Sequence, residues 1–180
     1  MSGLASSATK ALETPERKII SHPMSSLPPE NVQDYPRPPA LAPVAATLRV
    51  MLAGQTIAQT SRALRVLETH HAPTYYIPPE DISARLIPVR GTTFCEWKGQ
   101  AVYFDVEAGG VSAPRAAWSY PTPKARFADL AGYISFYAGA MEACFVGKTR
   151  VLPQPGDFYG GWVTPNLQGR IKGAAGTEHW

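Results

Sequence analysis

The chain has 180 residues, enough for one ordinary domain with extensions and too few for two of comfortable size. Apolar residues at 44% against 17% charged allow a packed core, whereas 18 prolines and 15 glycines favour turns and extended chain over helix. A formal net charge of +3 with scattered basic residues leaves no electrostatic stripe for nucleic acid, and no apolar run approaches a membrane span.

Residues 1–46 carry eight of the prolines, in groups such as "SLPPENVQDYPRPPALAP". Proline removes a backbone donor and restricts the residue before it, so an extended arm, in places polyproline II, is expected. Leu27, Val32, Tyr35 and Leu41 are its candidate anchors, either on the domain or on a second copy of the chain. The first thirty residues hold no apolar stretch of signal-peptide length, and Glu13 and Glu16 oppose a transit peptide, so a soluble, cytoplasmic protein is expected.

From Thr47 the texture changes. "TLRVMLAGQTIAQ" alternates apolar and polar on either side of "AG", which predicts a hairpin. "YYIPPEDISARLIPVRGTTFCEW" reads as short extended pieces broken by Pro78, Pro79, Pro88 and Gly91. "QAVYFDVEAGGVSAPRAAWSY" predicts a second hairpin, with Gly109 and Gly110 supplying a turn of positive φ. In "RFADLAGYISFYAGAM", apolar residues from Phe127 to Met141 recur at steps of three and four, which predicts one amphipathic helix closing a side of the sheet. Strands followed by one helix predict a single mainly β (α+β) domain over residues 47–146. The tail, residues 147–180, has no sustained period. Its Phe158, Tyr159, Trp162 and Trp180 nevertheless predict that it wraps over a protein surface, since each large ring contributes about 1.5 to 3 kcal/mol when buried.

The succession "SRALRVLE", "PTYYIPPEDI", "TTFCEWKGQAVYF", "AAWSYPTP" and "AGYISFYAG", in that order over about residues 48–140, resembles the family called domain of unknown function 427. The resemblance implies coiled antiparallel sheets of the β-tent type, as in B-type methionine sulfoxide reductases and the drug-binding domain of cereblon. It implies no established activity. Zinc held by paired cysteines, frequent among those folds, does not carry over, because Cys95 and Cys144 lie far apart and no CxxC exists. A nucleotidyltransferase label sometimes attached to the family finds no support in a Gly-Ser or paired-aspartate motif.

Chemistry concentrates in residues 62–120. In an extended segment Arg62, Leu64, Val66 and Glu68 share one face, a charge pair flanking an apolar floor, against the plainer reading of surface salt bridges. His70 and His71 diverge on an extended chain, so only one could join Glu68 and no metal site is expected. In "TTFCEWKG", Lys98 lies three residues from Cys95 and would favour its thiolate, although a cysteine beside Phe94 and Trp97 is more often simply a small apolar residue. Tyr75, Tyr76, Trp118 and Tyr120 are candidate pocket walls, large rings with one polar tip.

The leading expectation is therefore a small-molecule-binding domain. Tyr75, Tyr76, Trp118 and Tyr120 wall its pocket, Arg62, Glu68 and Lys98 provide polar contacts, and no cofactor is expected. An enzyme using Glu68, Cys95 and Lys98 in the same pocket is the alternative. A third reading is a nonenzymatic assembly, a homodimer whose terminal arms swap between copies.

Overall fold

A computed structural model describes residues 27–156 and 158–180; the first part of the proline-rich arm, with His22, lies outside these. The described chain is mainly β. Its strands are β1 (Glu30–Asn31), β2 (Ala40–Pro43), β3 (Leu48–Leu52), β4 (Gln55–Thr60), β5 (Leu64–Leu67) and β6 (Thr74–Tyr76). There follow β7 (Arg85–Cys95), β8 (Gly99–Ala108), β9 (Val111–Ser119), β10 (Ile134–Phe136) and β11 (Ala143–Val146). Four two-residue strands complete the set: β12 (Thr149–Arg150), β13 (Leu152–Pro153), β14 (Trp162–Val163) and β15 (Leu167–Gln168).

Two antiparallel sheets of four strands, ordered β10-β9-β8-β7 and β12-β11-β3-β4, are joined by a three-stranded sheet, β2-β5-β6. Both expected hairpins are present. Ala53 and Gly54 turn β3 into β4 with φ of 53° and 70°, and Gly109 and Gly110 turn β8 into β9 with φ of 54° and 78°. Two successive positive φ values match the right-handed twist of the flanking strands.

The expected helix is absent. Residues 125–141 instead form a 3-10 segment at Ala125–Leu130, strand β10 and a 3-10 turn at Ala138–Ala140. Gly132, at φ 75°, interrupts any helical continuation, and Ile134–Phe136 then pairs with β9, Ile134 opposite Ser119. All three β10 residues are buried, so a strand covered on both faces imitates the apolar stripe of a helix. Residues 85–95 also differ from the expected broken pieces, since they form one strand. β7 is the edge of its sheet, where Pro88 lacks no ladder partner, and a register shift between Val89 and Thr92 accommodates Gly91 at φ 97°.

Two hydrophobic clusters result. The larger lies among β3, β4, β8–β11 and Tyr75, and is completed by Trp162 from the tail. The smaller gathers Val66, Tyr76, Tyr103, Trp118, Tyr120, Phe127 and Leu130. The described parts of both terminal segments are built into this frame. Tyr35 is buried and donates its hydroxyl to Glu30, which Arg65 also grips at 2.9 Å, and β1 pairs in parallel with β15. Trp162 is fully buried, its indole Nε1 donating to the Phe136 carbonyl at 2.9 Å. Among the described residues no helix is long and apolar enough to cross a membrane.

Candidate functional site

The smaller cluster does not fill its surroundings. A cleft of about 290 Å³ opens beside it, floored by Val66 and Tyr76 from β5 and β6 and by Tyr103 and Trp118 from β8 and β9. Its rim comprises the end of β7 with the following turn, Arg37, and a tail strap made of Gln154 and residues 158–161, with Lys172 behind it.

Of the residues singled out from sequence, Glu68, Tyr76, Cys95, Lys98, Trp118 and Tyr120 line this cleft, and Arg62 and Tyr75 do not. The chain bends at Ser61 and Arg62, ahead of β5, so the alternation of the strand does not extend back to Arg62. That side chain is exposed and pairs with Asp81 at 2.9 Å and Glu80 at 4.0 Å. Tyr75 neighbours Tyr76 on β6 and so points to the opposite face, where its ring lies 5.2 Å from that of Trp162 in the larger cluster.

The aromatic wall is interlocked. The Tyr76 ring meets Trp118 edge-on at 6.4 Å and Tyr120 at 6.4 Å, and Trp118 lies 4.4 Å from Tyr137. Burial raises the hydroxyl pKa of Tyr76 and of Tyr120, and pushes that of Tyr137 up to about 12, so all three remain hydrogen-bond donors at neutral pH. The Tyr76 hydroxyl sits beside the Trp118 indole, buried, with no hydrogen bond of normal geometry closing it.

The polar groups come from four segments. Lys98 places its ammonium 5.6 Å from the centre of the Tyr120 ring, and Lys172 lies 5.4 Å from that of Tyr159. Arg37 meets Glu96 at the exposed rim at 3.9 Å. Cys95, paired with Gly99 in the β7–β8 ladder, has a free, half-buried thiol. Of the two histidines, His71 reaches the cleft, held by Gln154 Nε2 at 3.1 Å and by the Tyr159 ring at 4.9 Å. Desolvation, reinforced by Lys172, Lys98 and Arg37, pulls its pKa down to about 4, so it is neutral at physiological pH. His70 turns away at φ 64° and stacks on Trp180 at 4.4 Å.

The chain also contributes residues that strand periodicity did not single out: Tyr103, Tyr137 and the tail strap. The signal for the strap was the tail's aromatic residues, Phe158 and Tyr159 among them. A Cβ on Gly160 would be driven into the Trp118 ring, and one on Gly161 would stand 2.6 Å from the Ala72 carbonyl, so only glycine allows this backbone to lie on the wall.

A family model described as "Domain of unknown function (DUF427)" matches residues 40–147, more than half of the chain. The chain belongs to the DUF427 family. Its members' shared region thus contains β2 to β11 and most of the cleft wall, while the strap and Lys172 lie beyond it. No curated protein matches the chain.

Proposed function

We propose that this DUF427 protein binds a small molecule in the aromatic-walled cleft. The observation that carries the reading is convergence: Tyr76, Trp118 and Tyr120 with Glu68 and Lys98, distant in sequence, surround one concave space of about 290 Å³. Apolar walls with a few placed polar groups are the usual make-up of ligand sites. The antiparallel sheets fit the β-tent arrangement, which we adopt as the finer fold reading, together with a soluble, cytoplasmic protein.

The test is a thermal-shift screen of metabolites at millimolar concentration against the full chain and its Trp118→Phe variant. Compounds that raise the melting temperature of the first more than the second are expected. A screen silent throughout overturns the reading.

A catalytic use of the same cleft is the second reading, favoured by Glu68, Cys95 and Lys98 all lining it. Turnover of a compound found by the screen, abolished in Cys95→Ser or Glu68→Gln but with binding retained, would establish it. Binding with no turnover in the unmodified protein would remove it.

A further inference from the structure

The charges around the cleft narrow the ligand's chemistry. Three cations line it, Arg37, Lys98 and Lys172, against two carboxylates, Glu68 and Glu96. Glu96 is engaged by Arg37, and both of those side chains are largely exposed, at 68% and 60%, so they form a solvated rim pair of little consequence. That leaves Lys98 and Lys172 against Glu68. Neither lysine has a carboxylate within 4.0 Å among the described residues, and each instead lies over a tyrosine ring of the cleft. His71, between them in the wall, is neutral and cancels nothing. The local balance is one uncompensated positive charge beside the aromatic wall of the cleft.

The size and the floor set the rest. A volume of about 290 Å³ lies at the lower end of the range for ligand pockets, the scale of one or two fused rings. Trp118 and Tyr120, each 6% exposed, line the cleft with aromatic surface against which a ring can pack.

We propose that the cleft takes a small planar ring compound carrying one negative charge, its ring against Trp118 and Tyr120 and its oxyanion held by Lys98 and Lys172. The inference rests on the cleft being a binding site and adds the ligand's class to that reading. A ring cation is the competing occupant, since aromatic walls with a carboxylate also attract cations. Glu68 alone would have to outweigh both lysines, so the anion is favoured.

The experiment is isothermal titration of the full chain with four probes: indole-3-acetate, its neutral amide indole-3-acetamide, the ring cation tryptamine, and acetate, which has charge but no ring. Indole-3-acetate is expected to bind about tenfold or more tighter than the amide, as a charge-assisted hydrogen bond provides, with tryptamine and acetate weakest. Lys98→Gln and Lys172→Gln each should shrink the ratio between acid and amide, and the double variant should abolish it. Equal affinities for acid and amide, or tryptamine binding tighter than indole-3-acetate, would overturn the anionic class while leaving the cleft as a binding site. No binding by any probe would overturn this ligand class. The broader reading falls only if the thermal-shift screen is silent as well. Either single variant keeps the test open if the double variant fails to fold.

Discussion

Tyr76 combines a ring that anchors the fold with a hydroxyl that works against it. Its ring is 1% exposed and anchors the smaller cluster, yet its hydroxyl is buried without a well-formed partner. An unsatisfied buried polar group costs about 1 to 3 kcal/mol, so Tyr76→Phe should stabilise the protein by about 1 kcal/mol in urea denaturation. A Phe variant that is less stable than the parent would mean that the hydroxyl is satisfied after all. His71 has the opposite character, a group whose environment makes acid harmful. Its pKa falls to about 4 in the folded protein from an ordinary 6.5, so below pH 6.5 the unfolded chain binds the proton more readily. The contribution of neutral His71 to stability is thus present above pH 6.5 and is lost as pH falls towards 4. His71→Gln should flatten the stability profile across that window and leave the profile above pH 7 unchanged. Of these two residues sequence could single out Tyr76 but not the face of the sheet it takes. The alternation of a strand says that adjacent tyrosines face opposite ways, and only the packing of Trp162 on one of them says which face is core.

At the scale of elements, turns and hairpins were legible because their signals are local. "GG" between alternating runs allows positive φ at two successive residues, and "AG" marks a tight turn in which Ala53 takes φ 53° beside Gly54. Residues 125–141 were misleading for the converse reason. Ile134–Phe136 is buried on both faces by elements far away in sequence, so its apolar pattern carries no period that separates strand from helix. Pro88 misled similarly, because whether proline interrupts a strand depends on whether that strand is an edge. The strap over the cleft falls between these cases. Its glycines are visible in sequence, but that Gly160 lies against Trp118 is a long-range fact. Gly160→Ala should force the strap off the wall, because the added methyl has a packed indole in its way and not a flexible chain end. The expected result is a changed Trp fluorescence spectrum, a lower melting temperature and loss of ligand response. An alanine variant with unchanged ligand affinity would show that the strap does not shape the site.

The whole molecule is larger than the region by which its family is recognised. The DUF427 match ends at residue 147, but the larger core is completed by Val151 and Trp162, which lie beyond it. Trp162 caps the face of Tyr75, donates its indole N–H to the Phe136 carbonyl and its backbone N–H to the Pro73 carbonyl, each bond 2.9 Å long. Losing a buried Trp side chain costs about 3 to 5 kcal/mol, and each hydrogen bond about 0.5 to 1.5 more, against a total of about 5 to 15 for a typical domain. A chain ended at residue 147 should therefore lose its cooperative transition, keeping β-type far-UV circular dichroism but little near-UV signal. A chain ended at residue 172 is the control. It lacks Trp180, which is 41% exposed and stacks only on His70 and Arg170, but keeps Gln154, Trp162 and Lys172, with the Lys172 carbonyl accepting from Gln154 at 3.0 Å. This shorter loss should lower the urea midpoint only slightly and leave the cleft intact. If the chain ended at 147 unfolds as cooperatively as the full protein, the tail is an accessory to the fold. If the chain ended at 172 also collapses, the last eight residues hold more of the structure than their exposure allows.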